Sequence, residues 1–118
     1  MKFRSISLLL ALLLSLPVNA HASAGFYPTK VGDVIDIQGC VLAKTKYPLR
    51  IYLGDSNGKS ILIKQINSLP KKKGECAKGE IEFLSPWRVD RRGDYSLYLR
   101  DVKSKRNYPV WPDGIESR

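Results

Sequence analysis

The chain has 118 residues, with 20 basic and 11 acidic side chains, and its formal net charge is +9 at pH 7. A chain of this length supports one hydrophobic core, which excludes a multidomain protein. The excess of positive charge favours anionic partners over cationic ones.

The first 22 residues predict a cleaved secretory signal peptide. Lys2 and Arg4 give a positive start, residues 6–16 form an almost unbroken apolar run, and Pro17 ends it. Residues 20–22 read Ala-His-Ala, the small-x-small pattern of a cleavage site. The apolar run would make a helix of about 16 Å, roughly half the hydrocarbon thickness, so a membrane-spanning protein is not expected. The mature protein is therefore expected to be periplasmic or secreted.

Two cysteines, Cys40 and Cys76, remain after cleavage. Export delivers them to an oxidising compartment, where paired cysteines form disulfides. The sequence therefore predicts a Cys40–Cys76 bridge. In the chain-entropy view, closing this span stabilises the fold by about 3–4 kcal/mol.

Strand patterns dominate the first half of the mature chain. Residues 34–40 follow a turn-like Gly-Asp pair, and residues 49–53 alternate between apolar and polar side chains. The Asp-Ser-Asn-Gly sequence at residues 55–58 predicts a hairpin turn, because Asn and Gly tolerate positive φ. Residues 60–66 form the partner strand, and residues 67–78 form a long, lysine-rich loop.

The second half predicts three more strands. Residues 80–84 form a short strand, residues 85–93 a corner, residues 95–100 an alternating strand and residues 107–111 the last strand. Residues 112–118 offer little to pack, so they predict a loose C-terminal tail. Residues 23–111 are thus expected to form a single all-β domain of six or seven strands, either a sandwich or a small barrel.

Two stretches resemble bacterial immunoglobulin-like domains. The first is Gly-Asp-Val-Ile-Asp-Ile-Gln-Gly at residues 32–39, followed by Pro-Leu-Arg-Ile-Tyr-Leu at residues 48–53 and the turn at 55–58. The second is Trp-Arg-Val at residues 87–89, then Gly-Asp-Tyr-Ser-Leu at 93–97. It is similar to the corner where a Tyr hydroxyl bonds back to the backbone. The sequence departs from antibody domains at Leu97, where those domains place their second Cys.

The resemblance implies a β-sandwich in which the strand ending at Cys40 pairs with the strand that begins after Cys76. An OB-type barrel is the alternative, with strands at residues 33–43, 48–54, 60–66, 79–89 and 94–101. The two folds differ in one placement. The barrel brings Arg92 beside Lys46, whereas the sandwich places them at opposite ends.

The residues give little support for an enzyme. His21 is the only histidine and is lost with the signal peptide, and both cysteines are expected to be bonded. Glu80 and Glu82 share one strand face and are expected to be solvated there. No metal-spaced cluster, phosphate-binding glycine loop or serine elbow is present in the sequence, so no cofactor or metal is expected.

Two further motifs have simple structural interpretations. Arg92-Gly93-Asp94 matches an integrin-binding tripeptide, but it is expected to be a turn whose glycine serves the Tyr95 corner. Trp87 and Trp111 are expected to belong to the core or to cover it, because aromatic side chains supply much of a small core.

The basic residues follow a clearer pattern. On the predicted sandwich, three loops that emerge at one end carry half of the mature chain's positive side chains. We call this set the basic pole. Its members are Lys44, Lys46, Lys71, Lys72, Lys73, Lys78, Lys103, Lys105 and Arg106. Clustered positive charge attracts anionic partners.

The sequence therefore predicts an exported, non-enzymatic binding module. Its partner would be lipopolysaccharide, an anionic surface, nucleic acid or an acidic protein, held by the basic pole. The alternative is a periplasmic inhibitor or immunity protein, or an accessory subunit of a secretion or pilus system, which would dock through shape and apolar contact. The salt dependence of binding distinguishes the two functions, because salt weakens charge-driven binding and leaves apolar docking intact.

Overall fold

Alternating apolar and polar side chains build eight strands in a computed structural model that describes residues 26–118. The predicted signal peptide at residues 1–22 lies outside the described residues, as do residues 23–25. The strands are β1 (Tyr27–Thr29), β2 (Val34–Leu42), β3 (Leu49–Gly54), β4 (Ser60–Ile66), β5 (Glu80–Arg88), β6 (Gly93–Asp101), β7 (Arg106–Tyr108) and β8 (Gly114–Ser117). Over this part of the chain, no helix is long and apolar enough to cross a membrane.

The strands form two sheets, so the predicted all-β fold is confirmed. The larger sheet has the order β1-β8-β6-β3-β4, with β7 also pairing with β6, and the smaller sheet is the antiparallel pair β2–β5. The arrangement is sandwich-like. Arg92 precedes the first residue of β6, whereas the Lys46 N–H donates to Asp101 at its last residue, 2.7 Å away. The two basic residues therefore lie at opposite ends of one nine-residue strand.

The core lies between the inner faces of the two sheets. Ile37 of β2 and Phe83 of β5 are fully buried from one side, and Ile51 of β3 and Leu99 of β6 from the other. In β3 and β5 every second residue is buried, which is the period that a half-buried strand imposes. The same alternation directs the intervening polar side chains of both sheets to solvent.

The predicted loose tail is wrong. Residues 114–117 form β8, which pairs in parallel with β1 and antiparallel with the start of β6. Ile115 is fully buried and Ser117 is 2% exposed. The sequence pattern did not predict this strand, because the segment has a single large apolar residue among Asp, Gly, Glu and Ser. Its burial comes from partners that are distant along the chain.

Two strand boundaries also differ from prediction. The corner expected at residues 85–93 begins later, because β5 continues to Arg88 and buries Ser85 and Trp87 on its inner face. Pro86 fits within β5 because this strand lies at the sheet edge, where a missing N–H breaks no ladder bond. The strand expected at residues 107–111 ends at Tyr108. The chain then leaves β6 and forms a single bridge between Trp111 and Gln38 of β2.

The predicted tyrosine corner is confirmed in its local geometry. The Tyr95 hydroxyl donates to the Arg92 carbonyl oxygen, 2.8 Å away. Gly93 has a φ of 125°, and a Cβ there would lie 3.1 Å from the Tyr95 ring, so glycine is required for both reasons. Leu97, two residues on, is 4% exposed. Arg92-Gly93-Asp94 therefore serves this corner, while the immunoglobulin-like relationship stays a prediction.

The burial of β8 makes Ile115→Ala a test of the C-terminal strand. Removing this side chain should lower the free energy of unfolding by about 2–5 kcal/mol, as for other aliphatic truncations in cores. Urea denaturation measures the change. Arg118→Ala, at an exposed terminal residue, is the control and should change stability by less than about 0.5 kcal/mol. An Ile115→Ala variant as stable as the control would mean that β8 does not form.

Candidate functional site

The disulfide fastens a strap across the outside of the small sheet. Cys40 and Cys76 are bonded, with their Cα atoms 5.8 Å apart, which confirms the predicted bridge. Cys40 points outward from β2, opposite in direction to the buried Val41. Residues 67–79, which we call the strap, therefore fold over the outer face of β2 and β5. The Glu82 N–H donates to the Lys72 carbonyl oxygen, 2.7 Å away, and Gly74 packs directly against the Glu82 carboxylate.

The strap carries four members of the basic pole, and they lie at two separate places along it. Lys71, Lys72 and Lys73 are exposed beside β5, about two residues in from the end of that strand. Lys78 lies further on, next to Gly79, whose carbonyl oxygen accepts the Ala43 N–H at 2.9 Å. Lys78 is therefore beside the loop of Lys44, whereas the three consecutive lysines occupy a flank of the same end.

The strand registers bring the other two basic loops to this end as well. Leu42 pairs with Glu80, Leu49 with Asp101, and Asp101 with Arg106. The loop of Lys44 and Lys46 thus lies beside the loop that holds Lys103 and Lys105. Lys44, Lys46 and Arg106 line a common depression of about 350 Å³, which we call the hollow. All nine predicted members of the basic pole are exposed.

Asp101 forms the floor of the hollow and organises both loops. Its side chain accepts hydrogen bonds from the Thr45 hydroxyl at 2.8 Å, the Lys46 N–H at 2.7 Å and the Ser104 N–H at 3.0 Å. Burial alone would raise the pKa of Asp101. The hydrogen bonds from Ser104, Lys46 and Thr45 outweigh it and hold the pKa well below its usual range. The Asp101 carboxylate therefore joins the two loops through these hydrogen bonds.

Charge at the two ends of the sandwich is balanced differently. All eleven acidic residues of the chain lie within the described part. The nine cations of the basic pole lie near four acidic residues, namely Glu75, Glu80, Glu82 and the buried Asp101. The other nine basic residues of the described part, on the strands and at the opposite end, are accompanied by seven acidic ones, so the excess of positive charge is five near the pole and two elsewhere. Within residues 26–118 the two ion pairs, Arg91–Asp90 and Arg118–Glu116, both lie at that opposite end.

Glu80 and Glu82 lie on the outer face of β5, as predicted, but the strap covers part of them. The Ala77 N–H donates to the Glu80 carboxylate at 3.2 Å, so Glu80 helps to shape the strap. Both side chains are half-buried rather than freely solvated. The strap explains the difference, because its path over β5 depends on the disulfide.

The two tryptophans differ from each other. Trp87 is 9% exposed and packs in the core, as expected. Trp111 is 55% exposed, so the expectation that it belongs to the core or covers it is wrong. Its ring meets that of Tyr27 edge to face, with centroids 5.5 Å apart. The sequence feature that could have predicted this exposure is the pair of prolines, Pro109 and Pro112, because they interrupt a strand on both sides of Trp111.

Comparisons with protein family models, with curated proteins and with solved structures find no match to this chain. Its own geometry therefore carries the functional argument. That geometry offers a cationic end with a hollow, and an exposed aromatic pair formed by Trp111 and Tyr27.

The disulfide should hold the strap lysines in place. Joint replacement Cys40→Ala and Cys76→Ala should lower the free energy of unfolding by about 3–4 kcal/mol, because the unfolded chain gains freedom. Trypsin should cut at Lys71–Lys73 faster in this variant than in the oxidised protein. Equal cleavage rates would show that the remaining contacts hold the strap without the bridge.

Asp101 should contribute stability that depends on pH. Because its pKa is lowered by folding, the stabilisation is present above the unfolded pKa of about 4 and is lost as the pH falls below it. Asp101→Asn should therefore lower the free energy of unfolding at neutral pH by about 2–3 kcal/mol, the contribution of hydrogen bonds to a charged group. The gap from the unsubstituted protein should shrink toward about pH 2.

The control is Asp36→Asn, at an exposed position on the outer face of β2. Denaturation curves of all three proteins across the acid range give the comparison. A gap between Asp101→Asn and the parent protein that stays constant with pH would contradict a charged Asp101.

Proposed function

We propose that this protein is an exported, non-enzymatic binding module that engages an anionic partner through the basic pole. A disulfide is consistent with an oxidising compartment such as the periplasm or the exterior. The site offers positive charge on three loops of a rigid scaffold. Such sites act by attraction and placement rather than by bond chemistry.

The observation that carries the proposal is the accumulation of unbalanced charge at one end. The strand registers bring three basic loops toward one end. Asp101, the acid between two of them, accepts hydrogen bonds from those two loops. Positive side chains without acidic partners raise the local potential and accelerate association with anions. A surface arranged only for solubility would have both signs interspersed, as at the opposite end.

Docking through apolar contact is less well supported. Leu62 and Leu84 are 48% and 55% exposed, but they lie on strands of different sheets and point away from the core. They therefore face opposite sides of the sandwich and make no common patch. Apolar side chains scattered in this way are normal on a protein surface.

The test is charge reversal at the pole against matched reversal elsewhere. In one variant Lys71, Lys72 and Lys73 become Glu. In the control, Lys30, Lys59 and Arg92 at the opposite end become Glu. Both variants lower the net charge by the same amount. Arg88 and Arg91 are avoided because their side chains bond Gly32 and Asp90.

Binding is measured by titration with two polyanions, dextran sulfate and poly-L-glutamate, at low and high salt. The pole variant should lose about 10- to 100-fold in affinity at low salt, because several contacts with anionic groups disappear. The control should lose less than about 3-fold, since screened charges at the far end contribute little. Equal losses would mean that total charge alone matters. No loss in either would favour the inhibitor or assembly-subunit alternative.

A further inference from the structure

Trp111 is held in its exposed position by its backbone. Its N–H donates to the Gln38 carbonyl oxygen at 2.8 Å, and its carbonyl oxygen accepts the Gln38 N–H at 2.9 Å. Gly39 permits this approach, because a Cβ there would lie 3.0 Å from the Pro109 carbonyl oxygen. The buried Pro112 follows immediately. The indole is thus presented to solvent on a fixed backbone, which lowers the entropy cost of binding.

Polar groups stand among the apolar walls of the depressions around Trp111. One depression of about 420 Å³ joins it to Gln38, Glu75 and Glu82, and another joins it to Tyr27 and Asp113. The centre of a protein–protein interface is typically depleted of charged residues, because carboxylates are costly to desolvate against apolar groups. A ring surrounded by amide and carboxylate groups fits a ligand that presents an apolar face and many hydroxyl donors. Sugar rings have this chemistry.

A groove connects Trp111 to the basic pole. A third depression, about 520 Å³ in volume, runs from Trp111 past Asn107 to Arg106. Arg106, Leu42 and Tyr108 also line the hollow, where Lys44 and Lys46 lie. The groove and the hollow therefore share these three lining residues, and we call the two depressions together the path. An aromatic surface stands at one end of this path, and three cations stand at the other.

We infer that the path binds an anionic glycan. A sugar ring stacks on Trp111, its hydroxyls bond the amide and carboxylate groups beside the ring, and phosphate, sulfate or carboxylate groups of the glycan meet Arg106, Lys44 and Lys46. This inference rests on the proposed function and names the ligand class for it. An acidic peptide would satisfy the cations but would leave the aromatic end without a matching group.

The test uses three probes to distinguish binding to negative charge from binding to sugar rings. Dextran sulfate oligosaccharides have both sugar rings and charge, dextran oligosaccharides have the rings alone, and poly-L-glutamate has the charge alone. Trp111→Ala should weaken binding of dextran sulfate by about 5- to 10-fold, as for loss of an aromatic contact. It should leave poly-L-glutamate binding unchanged. Leu84→Ala, at an equally exposed residue outside the path, is the matched control and should affect neither.

Joint replacement Lys44→Glu and Lys46→Glu should weaken binding of both charged probes. Salt gives a second readout, because the effect of these lysines should fall as salt rises whereas the Trp111 effect should persist. Tryptophan fluorescence measures binding at the indole directly. Dextran sulfate should shift the fluorescence of the exposed Trp111, and this shift should vanish in Trp111→Ala, where the buried Trp87 remains.

The outcomes distinguish the two proposals. Dextran sulfate binding that is insensitive to Trp111 but sensitive to the lysines would overturn the glycan inference and leave the basic pole intact. Equal weakening of dextran sulfate and poly-L-glutamate by Trp111→Ala would also overturn it, in favour of an acidic peptide. Absence of binding to both charged probes would overturn the proposed function, and the glycan inference with it.

Discussion

The small sheet is the constraint on which the rest of the structure depends. A two-stranded sheet is marginal in water, because it pairs few backbone groups and buries one face at most. Strands β2 and β5 persist because they are held from three directions. Phe83 and Ile37 pack against the larger sheet, the strap is fastened to the outer face by the disulfide, and the bridge to Trp111 secures one edge.

Each of these supports also shapes the candidate binding surface. The disulfide anchors the strap, which displays the three consecutive lysines on one flank. The bridge to Gln38 takes the chain away from β6 and presents Trp111 to solvent. Structural and functional requirements therefore fall on the same residues. Loss of one support should alter the surface before it unfolds the domain, since local contacts have their own stability.

The uneven distribution of charge over the molecule follows from strand register rather than from composition. Basic residues are spread along the whole of residues 26–118, but β2, β3 and β6 all begin or end so that three basic loops share one end. At that end the central carboxylate, Asp101, is used to join two loops. At the other end Arg91 and Asp90 neutralise each other across 2.7 Å. The two ends thus differ in how far their positive charge is balanced by acidic side chains.

The sequence by itself determined the strands that alternate strongly, the hairpin turn, the disulfide and the charged loops. Residues 60–66 form the strand that was predicted there, and Asp55 accepts N–H groups of its own turn. These features are local, because side-chain period and turn chemistry act over a few residues. The prediction that Cys40 pairs with Cys76 needed only the number of cysteines and the oxidising compartment that the N-terminal residues predict.

Tertiary structure alone decided β8, the length of β5 and the exposure of Trp111. Ile115 is buried by strands far away in sequence, so its short polar segment held no periodic signal. Trp111 is exposed because its backbone pairs with Gln38, 73 positions earlier, and no local pattern encodes such a contact. The hollow and groove likewise exist only where distant loops meet. Local sequence determines which residues can form strands or turns, whereas long-range pairing decides which faces are left to solvent.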